Sequence, residues 1–597
     1  MNRQHFGAEL TPDSTRFRLW APAAKRVDLL IDQPHARSRD AHTRSRDAHA
    51  LTRDAAGWYV AEIPGARAGT RYRFRIDDEV DVPDPASAFQ PDDVFGPSEV
   101  IDHAAFKWRA TDWRGRPWHE AVVLEAHVGT FTREGTYRAM IDKLDHLVAT
   151  GITALELMPL ADFAGKRNWG YDGVLWYAPD SAYGRPDDLK TLIDEAHLRG
   201  LMVMLDVVYN HFGPEGNYLG RYAPAFFSDA HTPWGSAIDY RVPEVRAFAI
   251  GSVMSWLRDY RFDGLRFDAV NTIVEAGEIA VIHDFSKAAG KLATQTGRYI
   301  NLVLENGDNI ASLLDAAEDP PHGKFRGQWN DDYHHAWHVL LTGETQGYYG
   351  DYRTPKQDLA RALSSGYIYQ GEVSEFWGGK ARGEPSGMLS PTCFINFLQN
   401  HDQIGNRPLG DRLVSIARPE AVAAAQAVTL IAPTTPMLFM GEEWGATTPF
   451  PFFCDFKGDL ANAVRAGRRK EFAWAYAKYG DDIPDPLAEA TVRSAVLDWA
   501  ALGHDPARAR LALVRDLLAV RRQEIMPRLR GCRFGDATVA GDLLTAHWQM
   551  GDGGTLRLTA NLSDRDIPDG PEPKGTAIWG GALSSDLPGW AVRWHIG

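Results

Sequence analysis

Cysteine is scarce in this sequence, and positive charge is not in excess. Cys393, Cys454 and Cys532 are the three cysteines among 597 residues, too few and too scattered for a disulfide framework or a zinc cluster. Lys and Arg number 64 against 79 Asp and Glu, which gives a net charge of −15 and no electrostatic footprint for nucleic acid or an anionic membrane. We therefore expect a neutral or small partner, and neither nucleic acid nor a membrane.

A secretory signal and a membrane-spanning run are also missing. The first residues, MNRQHFGAEL, have no basic region followed by an apolar core, so the cytoplasm is the expected compartment. The longest apolar candidate covers residues 421–440, but Pro433 and Pro436 divide it. We predict a buried helix followed by a buried strand there.

Tryptophan and tyrosine, in contrast, are plentiful. The chain has 19 Trp and 20 Tyr, and aromatic residues make up 11% of it. Most large flat side chains fill cores. Aromatic rings also pack against the C–H groups of pyranose faces, so the surplus is in addition compatible with a sugar-binding cleft.

The pattern of apolar and polar residues changes twice along the chain. Short alternating segments separated by Pro, Gly and Asp run from Phe6 to about Arg109 and are typical of an antiparallel sandwich. From about Glu120 apolar segments alternate with amphipathic ones, and after about Met526 short strands return. We predict three domains: an immunoglobulin-like β-sandwich (1–108), an α/β barrel with insertions (109–525) and a small antiparallel β domain (526–597).

The middle region contains eight candidate strands with helical segments between them. This alternation, without a Gly-rich dinucleotide-binding turn, favours a (β/α)₈ barrel, the TIM-barrel fold, over an open sheet. RLALVRDLLAVRRQ from Arg510 is predicted to be the closing helix. The candidate strands are VVLEAHVGTF near Val122, ITALELMP at Ile152, LMVMLDVVYNH at Leu201, GLRFDAV at Gly264, NLVLEN at Asn301, QWNDDYHHA at Gln328, INFLQNHD at Ile395 and TPMLFMGEEW at Thr435.

Polar groups follow several of these strands where the apolar run ends. In a closed parallel barrel the carboxyl ends of the strands meet at one rim, where barrel enzymes place their active sites. Carboxylates gathered there without partners would be costly for a purely structural role, so catalysis is favoured. The side chains concerned are Asp206, Asn210, His211, Arg266, Asp268, Glu305, His401 and Asp402.

Arg266 and Asp268 lie two residues apart in FDGLRFDAVN and therefore share one face of a strand. A neighbouring cation keeps a carboxylate ionised, which suits a structural ion pair and a nucleophile equally well. Glu305 follows apolar residues, so burial is expected to raise its pKa. An ionised and a protonated carboxyl group together are what cleavage of a glycosidic bond requires.

Four motifs in order, DVVYNH (206–211), GLRFDAV (264–270), the Glu305 strand and NHD (400–402), resemble the signature regions of the α-amylase superfamily, glycoside hydrolase family 13. The resemblance implies a retaining hydrolase with an N-terminal domain like a carbohydrate-binding module. It implies Asp268 as the nucleophile, Glu305 as the general acid/base and Asp402 as the transition-state stabiliser. By the same resemblance Arg266, His211 and His401 contact the sugar, and Tyr171 stacks on it.

Longer stretches, such as NWGYDGVLWYAP and QNHDQIGNRPLGDR, resemble the trehalose-releasing hydrolases of this superfamily. This implies cleavage of the α-1,4 bond beside the terminal trehalose unit of maltooligosyltrehalose. One departure is visible, because Asn306 and Gly307 follow Glu305 where an acidic residue is expected. The further substrate-binding residues implied are Asp206, Phe267, Ala269, Val270, Asn271, Asp331, Asp332, Tyr333, His334, His335, Gln403, Ile404, Gly405 and Asn406.

Other interpretations stay open. A branching enzyme has the same sandwich and barrel but transfers the glycosyl group to another glucan, and a non-catalytic glycan-binding protein on the same barrel is a third possibility. His334 and His335 point in opposite directions if they lie on a strand, and no metal-binding motif accompanies them, so sugar contact or packing is favoured over metal. We expect no metal and no cofactor.

Overall fold

The computed structural model describes residues 6–32, 46–232, 234–273, 280–315, 324–568, 570–571, 574–581 and 586–597. The N-terminal region forms two antiparallel sheets that face each other across a shared core. In RYRFRI, Tyr72, Phe74 and Ile76 are buried while the arginines between them are half-buried, which is the alternation of a strand with one covered face. The strands are Glu9–Leu10, Ser14–Trp20, Trp58–Pro64 and Thr52–Arg53 in one sheet and Arg46–Ala50, Val27–Asp32, Arg71–Ile76, Val80–Val82 and Ser98–Glu99 in the other.

Eight parallel strands form a closed barrel, and the first pairs with the last. Every strand candidate of the sequence contributes one of them, so the predicted TIM barrel is confirmed. In MVMLDV all six residues are buried, as expected where both faces of a parallel sheet are covered. We number the strands β1 (Val123–Ala126), β2 (Ala154–Leu157), β3 (Met202–Val207), β4 (Gly264–Phe267), β5 (Asn301–Leu304), β6 (Gly327–Trp329), β7 (Phe394–Asn396) and β8 (Thr435–Phe439).

Helices cover the outside of the barrel, and proline begins several of them because its missing N–H is unpaired in the first turn anyway. The 421–440 run forms a helix and β8, as predicted, and no helix among the described residues has the length and apolarity to span a membrane. The α-helices are Val128–Phe131, Tyr137–Ile141, Leu144–Thr150, Pro186–Leu198, Leu219–Tyr222, Pro243–Met254, Ala280–Thr296, Asp331–Thr342, Pro355–Ser365, His401–Gly405, Leu413–Ile416, Pro419–Ile431, Gly458–Glu471, Ala473–Tyr479, Glu489–Ala495 and Asp505–Val520.

One predicted strand is largely a helix. The polar residues of QWNDDYHHA were predicted to extend the sixth strand, but β6 ends at Trp329 and a helix begins at Asp331. His334 and His335 therefore lie on a helix, about 100° apart around its axis, and not on opposite faces of a strand.

A five-stranded antiparallel sheet ends the chain, as predicted. It packs on the barrel, and Trp594 donates a hydrogen bond from its indole nitrogen to the carbonyl oxygen of Ala427 at 3.1 Å. Its strands, in spatial order, are Arg533–Ala540, Leu543–Gln549, Thr555–Asn561, Val592–Ile596 and Thr576–Trp579.

Candidate active site

Arg266 is the centre of a charged cluster inside the mouth of the barrel. Its side chain is fully buried, and Nη1 lies 2.6 Å from Oδ2 of Asp206 and 2.8 Å from Oδ1 of Asp268. Nη2 lies 2.8 Å from Oε2 of Glu305. The guanidinium also lies over the Trp329 ring, 4.1 Å from its centre. One cation thus joins carboxylates that follow or end β3, β4 and β5.

Asp268 is held by its neighbours on both sides. Its backbone N–H donates to Val207 at 3.0 Å, and Nδ2 of Asn210 donates to its Oδ2 at 2.8 Å. Burial raises the pKa of Asp268, and the opposing charge of Arg266 offsets part of that rise. The next residue, Ala269, has φ of +41°, a left-handed conformation that is strained for a residue other than glycine.

Glu305 directly follows β5 and faces the same cation. The strained turn aims the Ala269 N–H at its Oε2, with a distance of 2.8 Å. Burial raises the pKa of Glu305; Arg266 opposes this rise, and the negative charge of Asp268 adds to it. Glu305 therefore holds its proton to a higher pH than an exposed glutamate does.

Asp402 lies in the one-turn helix His401–Gly405, which follows β7 and is called the Asp402 turn below. It is the most exposed of the three predicted catalytic carboxylates, with 39% of its side chain accessible. The Asn400 side chain caps this turn by accepting the Asp402 N–H at 2.9 Å. His401 lies 3.5 Å from Asp402 and 2.5 Å from Glu125. Burial alone would lower the pKa of His401, but these two carboxylates raise it to about 9, so His401 is a cation at neutral pH.

Tyr171 and His211 complete the mouth of the barrel. The Tyr171 ring stacks on His401 with 4.9 Å between ring centres, and its hydroxyl donates to Asp206 at 2.6 Å. His211 lies 2.9 Å from the Tyr171 carbonyl oxygen and stacks on Trp234. Because burial lowers the pKa of His211 to about 4, it is neutral and donates to that carbonyl.

A cavity of about 160 Å³ opens beside Glu305 and Asp402. It brings together residues from four separate parts of the sequence. Six of its lining side chains, from the segment 343–390, were not singled out from the sequence: Tyr348, Asp351, Tyr352, Phe376, Trp377 and Arg382. The rest of the lining is Gly307, Asp331, His335, Gln403 and Asn406.

Asp331 and Asp332 are adjacent but differ in what they contact. Asp331 lines the cavity, where burial and the nearby charges of Glu305 and Asp402 raise its pKa to about 7. Asp332 points away from it and accepts hydrogen bonds from both side chains and backbone. Its donors are Tyr352, Arg382, Asn309 and the N–H groups of Ile368 and Tyr369.

Some residues that the motifs implied as sugar contacts are buried in the structure. The hydroxyl groups of Tyr333 and Thr429 share a hydrogen bond. His334 lies between the Leu398 carbonyl oxygen and the Tyr349 hydroxyl. Motif residues follow one another along the chain, whereas side chains on a strand or helix point in different directions. The predicted sugar-contact residues with 2% or less exposure are Asp206, Arg266, Phe267, Val270, Asp332, Tyr333, His334, His401 and Ile404, and their contact with sugar stays a prediction.

Ala269 and Gly405 shape the site through the backbone, and Asn271 does so through its side-chain amide. Asn271 Oδ1 accepts the Gly307 N–H at 3.3 Å, and Gly307 lies against Trp377. A Cβ atom on Gly405 would lie 1.9 Å from the Trp169 ring, so this position admits only glycine without rearrangement. Within the described residues no three His, Cys, Asp or Glu side chains are grouped as a metal site requires.

Comparisons with known proteins cover all three regions of the fold. Residues 5–88 match carbohydrate-binding module 48 (isoamylase N-terminal domain), 107–231 match the alpha amylase catalytic domain, and 532–594 match a domain of unknown function. The malto-oligosyltrehalose trehalohydrolase of Deinococcus radiodurans is 42% identical over 87% of this chain and 84% of its own length. The enzyme of the same name from Rhizobium sp. (strain M-11) is 38% identical over 97% and 96%.

Two solved structures superpose on this fold. A Salmonella typhimurium structure, provisionally described as an alpha amylase, is 42% identical, superposes with a TM-score of 0.91 and is covered over 99% of both chains. A pullulanase from Paenibacillus barengoltzii, 19% identical with a TM-score of 0.72, shares the fold.

Proposed function

Because the chain belongs to the malto-oligosyltrehalose trehalohydrolases, a family with an alpha amylase catalytic domain, we propose that it hydrolyses the α-1,4-glucosidic bond next to the terminal trehalose unit of maltooligosyltrehalose and releases trehalose. The observation that carries the proposal is the single guanidinium of Arg266 between Asp268 and Glu305, with Asp402 on the same rim. Carboxyl groups of a retaining glycosidase lie roughly 5 Å apart, which a shared guanidinium favours.

In the first step, Asp268 attacks the anomeric carbon of the maltooligosyl unit. Glu305 gives its proton to the glycosidic oxygen, so the bond breaks, trehalose leaves and a glycosyl ester forms on Asp268. The raised pKa of Glu305 keeps that proton available to a higher pH than in an exposed glutamate. The charge of Arg266, which touches both groups, opposes the effect of burial on the pKa of Asp268 and so favours the ionised nucleophile.

In the second step, ionised Glu305 takes a proton from water, and the hydroxide oxygen attacks the same carbon. The ester bond to Asp268 breaks, and a shortened maltooligosaccharide leaves with retained configuration. Asp402, beside cationic His401, stabilises the positive charge that develops on the sugar in both transition states. Tyr171, stacked on His401, offers an aromatic edge to the sugar at the cleavage site.

The cavity next to Glu305 is suited to bind the terminal trehalose unit, which leaves when the α-1,4 bond is cleaved. Tyr348, Phe376 and Trp377 supply apolar faces, while Asp331, His335 and Gln403 supply hydrogen-bonding groups. His335 is 7% exposed, and burial lowers its pKa well below the ordinary value, so it is a neutral donor and acceptor. A compact pocket with both kinds of surface is typical of sugar recognition.

The test compares products from maltooligosyltrehalose and from plain maltooligosaccharide. We expect free trehalose from the first and much slower cleavage of the second. Asp268→Asn, Glu305→Gln and Asp402→Asn should each lower kcat by at least about 10²-fold with nearly unchanged thermal unfolding. The exposed Asp112→Asn is the matched control and should keep full activity.

Each proposed role has an outcome that contradicts it. Near-normal turnover by any of the three variants would remove that residue from the mechanism. New α-1,6 branches in place of trehalose would instead support a branching enzyme, and sugar binding without either product would support a glycan-binding protein.

A further inference from the structure

The Asp402 turn is held from outside the barrel by an arginine far along the sequence. Arg468 lies on the helix Gly458–Glu471. Its Nη1 donates to Oδ1 of Asn406 at 3.2 Å, and its Nη2 donates to the carbonyl oxygen of Gly405 at 3.0 Å. One guanidinium thus contacts two consecutive residues at the end of the turn.

Arg468 is itself fixed in place. The centre of its guanidinium lies 4.8 Å from the ring centres of both Phe452 and Phe472, and Nη1 lies 3.0 Å from Glu471. Its side chain is 18% exposed. A planar guanidinium stacked on aromatic rings loses little freedom when it binds, so this contact is rigid.

The polarity of the contact orients Asn406. Arginine can only donate hydrogen bonds, so it selects the Asn406 carbonyl oxygen and leaves the amide nitrogen facing the other way. That nitrogen donates to Oδ1 of Asp402 at 3.3 Å. A chain of two hydrogen bonds therefore leads from Arg468 through Asn406 to the most exposed of the proposed catalytic carboxylates.

Other contacts hold the remaining sides of the turn. Gly405 packs on the Trp169 ring, and Arg407 forms two bonds to Glu344, at 2.6 and 3.1 Å. These contacts fix the backbone but do not reach the Asp402 carboxylate. The Arg468–Asn406 pair does, and it meets the oxygen, Oδ1, that also lies nearest His401.

We propose that Arg468 is a positioning residue that sets the orientation of the Asp402 carboxylate through Asn406, an assignment that rests on the hydrolase function proposed above. In this role Arg468 does not touch the sugar. It affects the transition state, where Asp402 acts, more than the binding of the ground state. Misplacement of a group by about 1 Å can cost about 10²-fold in rate.

The experiment replaces Arg468 by methionine, which keeps the length and apolar stem but removes the donors. We expect Arg468→Met to lower kcat about 10- to 100-fold, with KM changed by less than about 3-fold. Arg468→Lys should be intermediate, because lysine keeps the charge but not the two-pronged geometry. Arg469→Met is the matched control and should keep the wild-type kcat, since Arg469 stacks on Tyr476.

A double-mutant cycle separates positioning from a general structural role. If Arg468 acts through Asn406, then Arg468→Met in an Asn406→Leu background should lower kcat no further. Added guanidinium should also restore part of the activity of Arg468→Ala. A wild-type kcat for Arg468→Met, or a full additional loss in the Asn406→Leu background, would overturn the proposal.

The cycle is independent of the trehalose specificity. If the wild-type enzyme hydrolyses another α-glucan in place of maltooligosyltrehalose, the specific function fails, and the same variants on that glucan still test Arg468. If the wild-type enzyme hydrolyses neither, Asp402 has no catalytic orientation to set and the assignment of Arg468 fails with it.

Discussion

At the scale of single residues, the proposed roles of the catalytic carboxyl groups follow from the small number of cations among many buried carboxylates. Arg266 contacts Asp206, Asp268 and Glu305 within 2.8 Å. One guanidinium cannot fully compensate three buried negative charges, so the group with the highest affinity for a proton keeps it. This is why two carboxyl groups on the same arginine can take different roles, one ionised and one protonated.

Asp331 is a further carboxyl group in the cavity beside Glu305, and it gives a prediction for the pH dependence of kcat/KM. Burial and the nearby charge of Glu305 raise the pKa of Asp331 to about 7, and because this repulsion is mutual, Asp331 raises the pKa of Glu305 once it is charged. Asp331→Asn removes that negative charge, so the pKa of Glu305 should fall. Since Glu305 must be protonated for the first step, the alkaline limb of kcat/KM should move to lower pH. The acid limb, set by ionisation of Asp268, should move less.

The measurement is a pH profile of kcat/KM between pH 4 and 9 for both proteins. The exposed Asp229→Asn is the control and should leave both limbs in place. An alkaline limb that is unchanged, or displaced to higher pH, in Asp331→Asn would show that Asp331 does not act on Glu305.

At the scale of elements, the sequence predicted strands better than the segments between them. All eight barrel strands were visible because burial on both faces makes short apolar runs, such as MVMLDV and NLVL. The polar residues of QWNDDYHHA are predicted to continue the sixth strand beyond Trp329. In the structure β6 ends after three residues, and the same polar residues form the first turn of a helix.

The site was predictable in its centre and not at its edge. Arg266 lies near the end of β4, Asp268 and Glu305 directly follow β4 and β5, and Asp402 lies in the segment after β7, so barrel topology brings them to one rim. The cavity wall from Tyr348 to Arg382 comes from an insertion with two short strands, Glu372–Ser374 and Lys380–Arg382. Such a segment has no period that predicts its path, and the aromatic surplus in the composition was its one sequence signal.

The contacts of Asp332 with this insertion give a prediction about the stability of the protein. Asp332 accepts from Arg382 at 2.9 Å and from the N–H groups of Ile368 and Tyr369, and so ties the insertion to the helix Asp331–Thr342. Asp332→Ala removes the carboxylate partner of the buried Arg382 guanidinium and leaves the N–H groups of Ile368 and Tyr369 without this acceptor. We expect a loss of about 3–5 kcal/mol in the free energy of unfolding, measured by urea denaturation.

The neighbouring Asp331→Asn serves as the comparison, because it changes the pH profile and should change stability by less than about 1 kcal/mol. If Asp332→Ala unfolded at the wild-type urea concentration, the insertion would not depend on this carboxylate.

At the scale of the whole molecule, the three regions share one apolar core. Phe6 packs on Phe248 and Trp20 on Phe226, which join the N-terminal sandwich to the barrel. On the other side, Phe394 of β7 packs on Phe534 of the C-terminal sheet, with 5.6 Å between ring centres. Contacts of this kind couple unfolding of the sheets to unfolding of the barrel.

Trp594 tests this coupling. It is fully buried, stacks on Trp548 and donates to Ala427 on the helix Pro419–Ile431, which precedes β8. Trp594→Ala leaves a large cavity at this junction and should cost about 3–5 kcal/mol. We expect calorimetry to show one transition at a lower Tm, with unchanged kcat for the molecules that stay folded at 25 °C.

The exposed Trp474→Ala is the control and should keep the wild-type Tm. Two separate transitions, of which Trp594→Ala lowers one and leaves the barrel's in place, would show that the C-terminal sheet unfolds independently.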